Sequence, residues 1–299
     1  GSLEPEEYLW LDAPPPAAFA QACELLRQLG ALDAGKKVTE HGRQMAQTGL
    51  HPRLAHMILK TIPMKMGRLA CQLAVLLSQR DIAPRQAEAD LTLRLDWLGF
   101  HRPDNGKGIE RVLQEVKHLE AMFSLQEETE TAGSPGLLVA LAYPDRIGQN
   151  KGGGRFVLRS GRGVTLAKGQ PLALEPFIAV AHLDNKGADG RIFLAAPLPE
   201  EELYHAFEQE ISEEEMTFWD QDAQRVKARK YRRLGALVLK EEPVGRPDRE
   251  GVLSALFSGI RQEGLRLLPW TKKAKQLWQR MAFLSRLDNT WPDVREEGL

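Results

Sequence analysis

The sequence predicts a multi-domain protein of the α+β class, and three observations lead to this prediction. Residues up to about 132 carry apolar side chains at helical spacing, interrupted by proline and glycine. From 133 to about 245 the pattern changes to short alternating and β-branched runs, which are typical of strands. Residues 246–299 return to helical spacing. A chain of 299 residues has room for about two to four domains.

The first helical unit has well-marked boundaries. Apolar spacing predicts a helix over 17–29 with Leu26 on its buried face, and Gly30 follows where helices commonly end in a left-handed residue. Thr39 is expected to cap a second helix, and Pro52 is expected to open a third. Helix, turn, helix, proline and helix in this order indicate a small helical domain.

More helices and then a β-rich segment follow. Helices are predicted over 69–78, 90–98, 109–125 and 136–143. Strands are predicted over 155–159, 163–166, 177–183, 191–196, 216–219 and 225–239, with a turn at 185–187 and a helix over 200–211. Five or six short strands with one helix between them predict a small closed barrel. Two further helices, over 249–263 and 272–286, end the pattern.

The composition argues against a membrane or secreted protein. No apolar run approaches the ~18 residues of a membrane-spanning helix, and no basic-then-apolar signal opens the chain. Cys23 and Cys71 lie on apolar helix faces and are expected to be buried free thiols, as in a cytoplasmic protein. The formal net charge of −1 says nothing about partners until it is mapped onto segments.

The densest positive charge lies in the strand predicted from residue 225. Six basic side chains fall within nine residues, and we call them the basic stripe: Arg225, Lys227, Arg229, Lys230, Arg232 and Arg233. Alternate residues of a strand share a face, so Arg225, Lys227 and Arg229 can follow a phosphate backbone together. Two alternatives stay open. A solvated edge strand uses positive charge against aggregation, and the acidic run at 213–215 is placed to pair with the stripe across a hairpin.

A glycine-rich loop at 152–154 is the second candidate site for phosphate. Glycines let backbone amides approach phosphate closely, and cations flank these glycines. The flanking cations are Lys151, Arg155, Arg159 and Arg162. A flexible hairpin loop explains the same residues equally well. A weaker cluster begins the third helix, where solvated polar side chains at a helix start are the simpler interpretation: it consists of His51, Arg53 and His56.

Residue spacing excludes three other kinds of site. The seven histidines show no metal-ligand spacing apart from His51 and His56, which at i,i+5 do not stack on one helix face, and no Cys-x-x-Cys occurs. Ser160 and Ser254 lack the surroundings of a nucleophile elbow. The glycine-rich loop lacks the Gly-Lys-Ser/Thr of a Walker A motif. Neither a metal site nor catalytic residues are expected.

Several segments resemble the region that follows the second motor domain in DEAH-box helicases. After a proline-rich start come L-x-x-L-G-A-L-D at 26–33, V-T-E-H-G-R-Q-M-A at 38–46 and L-H-P-R-L-A-H-M at 50–57. The stretches GLLVALAYPDRIGQNKGGGRFVLRSGRGVTL, RIFLAAPL and GLRLLPW resemble the bacterial HrpB type of these ATP-dependent RNA helicases. The resemblance spans nearly the whole chain.

This resemblance implies a domain order and a role. It implies a winged-helix-like domain over 1–62, a ratchet-like helical bundle over 63–132, an oligonucleotide-binding-like (OB-like) β-barrel over 133–245 and a C-terminal helical segment over 246–299. Such a region would act as a monomer and enclose single-stranded RNA, or DNA, beside the motor domains of the same chain. ATP and Mg²⁺ would belong to the motor domains. This chain lacks their phosphate loop and DEAH motif, so no cofactor and no ATP hydrolysis by that mechanism are expected of it.

Two other functions are alternatives to this role, and the sequence argues against the second. The barrel and the closing helices could bind a protein partner and regulate the motor, with the basic stripe merely solvated. A winged-helix regulator of duplex DNA would need a basic recognition helix, but 40–45 carries only His41 and Arg43 as basic side chains.

Overall fold

The structure, a computed structural model, describes residues 9–79, 88–99, 106–125, 133–184, 189–264 and 267–287. It contains both helices and strands, which confirms the α+β class. The described residues divide into two compact units. The first runs to Glu210 and also includes Leu234–Leu237, and the second holds the other residues from Ile211 onward. The boundaries of the four domains stay predictions, and the turn expected at 185–187 lies outside the described residues.

Three short helices begin where the sequence signals them. They are α1 (Pro16–Gln28), α2 (Glu40–Gln47) and α3 (Pro52–Thr61). The Thr39 hydroxyl caps α2 by accepting a hydrogen bond from the Gly42 amide at 3.0 Å. Gly30 lies just beyond α1 with a φ of +67°, so the left-handed residue predicted there is confirmed.

Burial in α1 is shallower than expected. Leu26 and Cys23 are only half-buried, and α1 contains no buried residue. The buried position belongs to Leu29, which follows the helix and packs in a small cluster with Met45 and Ala55. Leu26 touches this cluster only from its edge, because α1 reaches the cluster at its C-terminal end.

Four more helices form the rest of the helical part. They are α4 (Gly67–Ser78), α5 (Thr92–Gly99), α6 (Gly106–Met122) and α7 (Pro135–Ala142). α4 packs against α3 and α6, and α7 packs against α3. Cys71 on α4 is a buried free thiol, as expected, and burial raises the pKa of this thiol to about 12.

Five short strands close into a small barrel, which confirms the predicted closed barrel. The strands are β1 (Ile147–Asn150), β2 (Arg155–Leu158), β3 (Gly163–Thr165), β4 (Phe177–Leu183) and β5 (Gly190–Pro197). Their order is β1-β2-β3-β5-β4, and all neighbours are antiparallel except β3 and β5, which are parallel. The interior side chains include Phe156, Leu158, Val164, Ile178, Val180 and Ile192.

The strands that form this barrel differ from the prediction. The sequence assigns 216–219 and 225–239 to it, but β6 (Ser212–Asp220), β7 (Arg225–Leu234) and β8 (Leu237–Pro243) form a separate sheet in the order β6-β7-β8. β6 and β7 pair continuously along a hairpin, so each finds its partner next to it in the sequence. β1 supplies the fifth barrel strand instead, and its four residues, IGQN, carry no strand-like alternation.

β5 also bonds to a segment far away in the chain. The Leu91 amide donates to the Ala195 carbonyl at 2.8 Å, and the Ala195 amide donates to the Ala89 carbonyl at 2.8 Å. This parallel bridge ties the segment before α5 to the barrel. At its end β5 meets α7 so closely that a Cβ on Gly136 would lie 1.9 Å from the Pro197 carbonyl oxygen.

Three helices complete the described chain. They are α8 (Glu200–Ala206), α9 (Arg249–Glu263) and α10 (Lys272–Leu287). α9 packs on β6, where a Cβ on Gly259 would lie 2.3 Å from the Trp219 ring. α10 contains no buried residue. None of the helices among the described residues is long and apolar enough to cross a membrane.

Candidate nucleic-acid interface

The basic stripe lies on β7, the middle strand of its sheet. The edge-strand interpretation is therefore wrong. The predicted pairing with the acidic run is confirmed, because Glu213 lies opposite Arg232 and Glu215 lies opposite Lys230 across the β6–β7 hairpin. The stripe thus lies between two strands that both carry carboxylates.

Carboxylates contact most of the basic stripe. The ion pairs are Lys227–Asp220, Arg229–Glu241 at 2.9 Å, Lys230–Glu213 at 2.6 Å, Arg232–Glu213 at 3.4 Å and Arg233–Glu214 at 3.4 Å. The hydrogen bond from Lys230 lowers the pKa of Glu213 below its usual value. A phosphate would compete with these carboxylates, so the stripe is a weaker site for nucleic acid than its composition alone indicates.

The two faces of this sheet differ. α9 covers the face that carries Thr217 and Trp219. Because side chains alternate along a strand, Arg225, Lys227 and Arg229 lie together on the opposite face. Their expected common orientation therefore agrees with the register of the sheet.

The glycine-rich loop joins β1 to β2, and the glycines at 152–154 all have positive φ values. All four flanking cations bond within the protein. Lys151 donates to the Gln149 side-chain carbonyl at 2.8 Å, and Arg155 pairs with Asp189 at 3.1 Å. Arg159 donates to the Glu210 carboxylate at 2.6 Å, and its side chain is only 18 % exposed. Arg162 donates to the Asp184 carbonyl at 3.4 Å. Each of the four cations predicted around this loop therefore already has a partner with which a phosphate would compete.

The outer surface of the barrel brings side chains from three strands into one row. Arg155 on β2 lies opposite Thr165 on β3, and Thr165 lies beside Arg191 on β5. Phe193, two residues further along β5, is 49 % exposed, and the Arg191 guanidinium lies 5.5 Å from its ring centre. The Lys151 amide donates to the Arg155 carbonyl at 2.8 Å. We call this surface the barrel face: Lys151, Arg155, Thr165, Arg191 and Phe193.

Arg191 and Phe193 are not among the candidates from the sequence. The strand itself is predicted there, and its alternation places these two residues on the side opposite to the buried Ile192 and Leu194. Phe193 is apolar and so fits an interior position by type, and only closure of the barrel shows which side faces out. Asp189 contacts the barrel face through an ion pair with Arg155 at 3.1 Å.

The third candidate cluster consists of His51, Arg53 and His56, and Arg53 at its centre has a structural role. Arg53 is 7 % exposed, and its guanidinium donates to the Asp145 carboxylate at 2.6 Å and to the Ala142 carbonyl at 3.0 Å. The guanidinium also lies 4.8 Å from the ring centre of Tyr143. His51 caps α3, since its Nδ1 accepts from the Arg53 amide at 3.2 Å. The expected solvation is therefore wrong for Arg53, which links α3 to the end of α7.

His56 meets His41 from α2, a pairing that the sequence does not predict. Nε2 of His41 and Nδ1 of His56 are 2.8 Å apart. A cavity of about 450 Å³ adjoins the pair and is also lined by Lys60 and Phe207. Burial, with smaller contributions from His41 and Lys60, lowers the pKa of His56 to about 4.

The low pKa of His56 predicts that acid destabilises the fold. Between about pH 6.5 and 4 the unfolded chain binds a proton at this residue and the folded chain does not. The stability is therefore complete above pH 6.5 and is lost as the pH falls toward 4. We expect His56 to contribute a loss of about 2 kcal/mol between pH 7 and pH 5. Urea unfolding at both pH values measures it, and a His56→Gln variant that loses as much stability as the unmodified chain would contradict it.

Comparisons with known proteins match two segments to protein families. Residues 22–50 match the winged-helix model of the helicase-associated domain (HA2). Residues 210–244 match the model for the connector region of the ATP-dependent RNA helicase HrpB. The first match confirms a winged-helix domain in this part of the chain, and the second covers the β6-β7-β8 sheet.

Similar whole proteins are longer than this chain. The ATP-dependent RNA helicase HrpB of Escherichia coli (strain K12) is 29 % identical over 304 residues, which cover 100 % of this chain and 36 % of that relative. A crystal structure of the E. coli DExH-box NTPase HrpB matches with a TM-score of 0.69 and 28 % identity. The match covers 99 % of this chain and 36 % of the chain in that structure. A crystal structure of the E. coli DEAH/RHA helicase HrpB supports the fold. It matches with a TM-score of 0.69 and 24 % identity, over 100 % of this chain and 36 % of the chain in that structure.

Proposed function

We propose that this chain, which belongs to the C-terminal region of the HrpB-type helicases, binds single-stranded RNA as a monomer beside the motor domains of the same protein. In this proposal the five-stranded barrel is an oligonucleotide-binding barrel. The strand order with its parallel β3–β5 pairing supports that assignment. RNA is the expected nucleic acid because the E. coli relative is named an RNA helicase. ATP and Mg²⁺ are proposed to act in the motor domains.

The barrel face is the observation that carries the proposal. Binding of a single strand without sequence preference needs cations for the phosphates and exposed aromatic rings on which bases stack. Arg191 and Phe193 supply both within 5.5 Å, Lys151 adds positive charge, and Arg155 can add more by exchanging Asp189 for a phosphate. Oligonucleotide-binding barrels bind their ligands on the face of strands 2 and 3 and on adjoining loops. Here β2, β3 and the glycine-rich loop all adjoin the barrel face.

The basic stripe has a smaller part in this proposal. Lys227 and Arg229 would meet a phosphate in competition with Asp220 and Glu241. Each exchange replaces one ion pair by another, so we expect the net gain to be small. The stripe therefore supports an RNA strand that the barrel face already holds.

Glutamine at Lys151, Arg155 and Arg191 is expected to weaken the binding of a fluorescent oligouridylate by the full 299-residue chain. Each contact to a single-strand phosphate contributes about −0.7 to the slope of log affinity against log salt concentration. The triple variant should therefore flatten this slope by about two units, if each side chain meets one phosphate. Fluorescence anisotropy across a salt series measures both quantities.

Two control variants separate charge from position. Glutamine at Lys227, Arg229 and Arg233 removes the same charge from the basic stripe, and we expect a clearly smaller change of slope. Phe193→Ala should weaken binding roughly tenfold while leaving the slope unchanged, because a stacked base contributes about 1–3 kcal/mol. A larger loss of slope in the stripe variant than in the barrel variant would move the interface to β7.

A protein-interaction module is the second candidate. The compensated charge of the β6-β7-β8 sheet favours it, as do Leu253 and Phe257 on α9, which are 45 % and 58 % exposed. This alternative predicts that neither triple variant changes the affinity for RNA or its dependence on salt.

A further inference from the structure

α10 carries the most one-sided charge among the described helices. Its sixteen residues contain five cations and no carboxylate: the cations are Lys272, Lys273, Lys275, Arg280 and Arg286. All five are exposed. The neighbouring α9, in contrast, mixes Arg249 and Arg261 with Glu250 and Glu263.

The charge of α10 is not explained by the stability of the fold. Within the described part of the chain, no carboxylate forms an ion pair with any of its five cations, whereas carboxylates contact the basic stripe. Lys272 and Lys273 also lie in the first turn, where the helix dipole favours negative charge. This arrangement costs the helix stability, and a bound anion would reverse that cost.

A shallow cleft on α10 adds groups that suit a nucleotide. Its volume is about 510 Å³, and the described residues that line it are Gln276, Gln279, Arg280, Phe283 and Leu284. Phe283 is 62 % exposed, so its ring is open to stacking. The glutamine amides can donate to and accept from the edge of a base, and Arg280 can meet a phosphate.

We propose that this side of α10 is a second binding site for single-stranded RNA, distinct from the barrel face. The proposal rests on the proposed function, because it takes RNA as the ligand of this region. One base stacks on Phe283, while Lys272 and Arg280, eight residues apart on the helix, contact the phosphates of the strand. Gln276 and Gln279 hold the base edge between them without selecting one base.

A membrane surface is a poorer fit to this helix. A helix that lies in a lipid interface inserts a continuous apolar face. On α10 the apolar residues Trp278, Met281 and Ala282 are already half-buried within the protein. The exposed residues Leu277, Phe283 and Leu287 are interspersed with cations and with Gln276 and Gln279, so they form no continuous apolar face.

The ring of Phe283 has a matched control on the same helix. Leu277 is 60 % exposed and lies outside the cleft. Phe283→Ala should weaken the binding of an oligouridylate by the full chain roughly tenfold, whereas Leu277→Ala should leave it unchanged. Equal losses in both variants, or no loss in either, would overturn the proposal. Thermal unfolding of both variants verifies that the fold is retained.

Charge variants and a lipid control complete the test. Glutamine at Lys272 and Arg280 should flatten the salt slope by about 1.4 units, because each phosphate on a single strand contributes about 0.7. Sedimentation with vesicles containing phosphatidylserine tests the lipid alternative. If the chain binds these vesicles through Phe283 while RNA affinity is unaffected, the proposal is overturned in favour of a membrane surface.

The same RNA assay separates this proposal from the proposed function. Losses in the barrel-face variants without losses in the α10 variants would refute the second site and leave the proposed function intact. Losses in the α10 variants alone would refute the barrel face and retain α10. Cross-linking of 4-thiouridine RNA to a peptide that contains Phe283 is the expected direct result.

Discussion

Replacing Arg53 with methionine is expected to lower the free energy of unfolding by about 3–5 kcal/mol, the usual effect of breaking a buried ion pair. The change removes the donor to the Asp145 carboxylate and to the Ala142 carbonyl. The side chain of Asp145 is 32 % exposed, so water replaces part of the lost contact and the lower end of the range applies. Urea unfolding of the purified chain measures the effect.

Arg43→Met is the matched control for this change. Arg43 also bonds to a carboxylate, that of Glu40 at 3.0 Å, but the two side chains are 61 % and 74 % exposed. We expect a change within about 0.5 kcal/mol, because water screens a surface pair. Similar losses from the two variants would show that burial of Arg53 contributes nothing to stability.

Gly136→Ala is expected to destabilise the first unit by about 3 kcal/mol. The new methyl group would lie 1.9 Å from the Pro197 carbonyl oxygen, so α7 and β5 must separate. The methyl group would be held by the backbone of α7 and would meet the backbone of β5, and packed backbone cannot yield as a flexible side chain can. Differential scanning calorimetry of the variant should show a clearly lower transition temperature.

A second glycine, which has no close contact, is the control for the effect of alanine on the stability of a helix. Gly108 lies in α6, and a Cβ added to it would meet no atom within 4 Å, so Gly108→Ala should stabilise the chain by up to about 1 kcal/mol. If Gly136→Ala is as stable as the unmodified chain, the close approach of α7 to β5 does not exist.

The boundaries of α1 and α2 are predictable from this sequence because their signals are local, whereas the helix predicted over 200–211 ends at Ala206. Thr39 caps α2 through an amide three residues away, and Gly30 ends α1 by its own backbone conformation. The membership of sheets is not local. The sequence predicts one strand over 225–239, but a turn at Gly235 divides these residues between β7 and β8, and both strands join the sheet of β6 and not the barrel.

The candidate interface also combines features that are local in the sequence with features that depend on distant residues. The basic stripe is visible in the sequence as a run of cations, and its pairing with 213–215 is predictable because a hairpin joins them. The contact of Arg229 with Glu241, and the outward direction of Phe193, depend on which strands become neighbours. Arg53 is the extreme case, since its partner Asp145 lies 92 residues away.

The bridge between β5 and the segment at 89–91 has a consequence for how the chain folds on the ribosome. Leu91 and Ala195 bond to each other but are separated by about a hundred residues, which a ribosome translates in roughly 5–20 s. During that interval the segment before α5 has emerged without the strand that anchors it. The barrel is likewise open, because β3 pairs with β5. The helical part of the first unit must therefore persist through its own local contacts until residue 197 has left the exit tunnel.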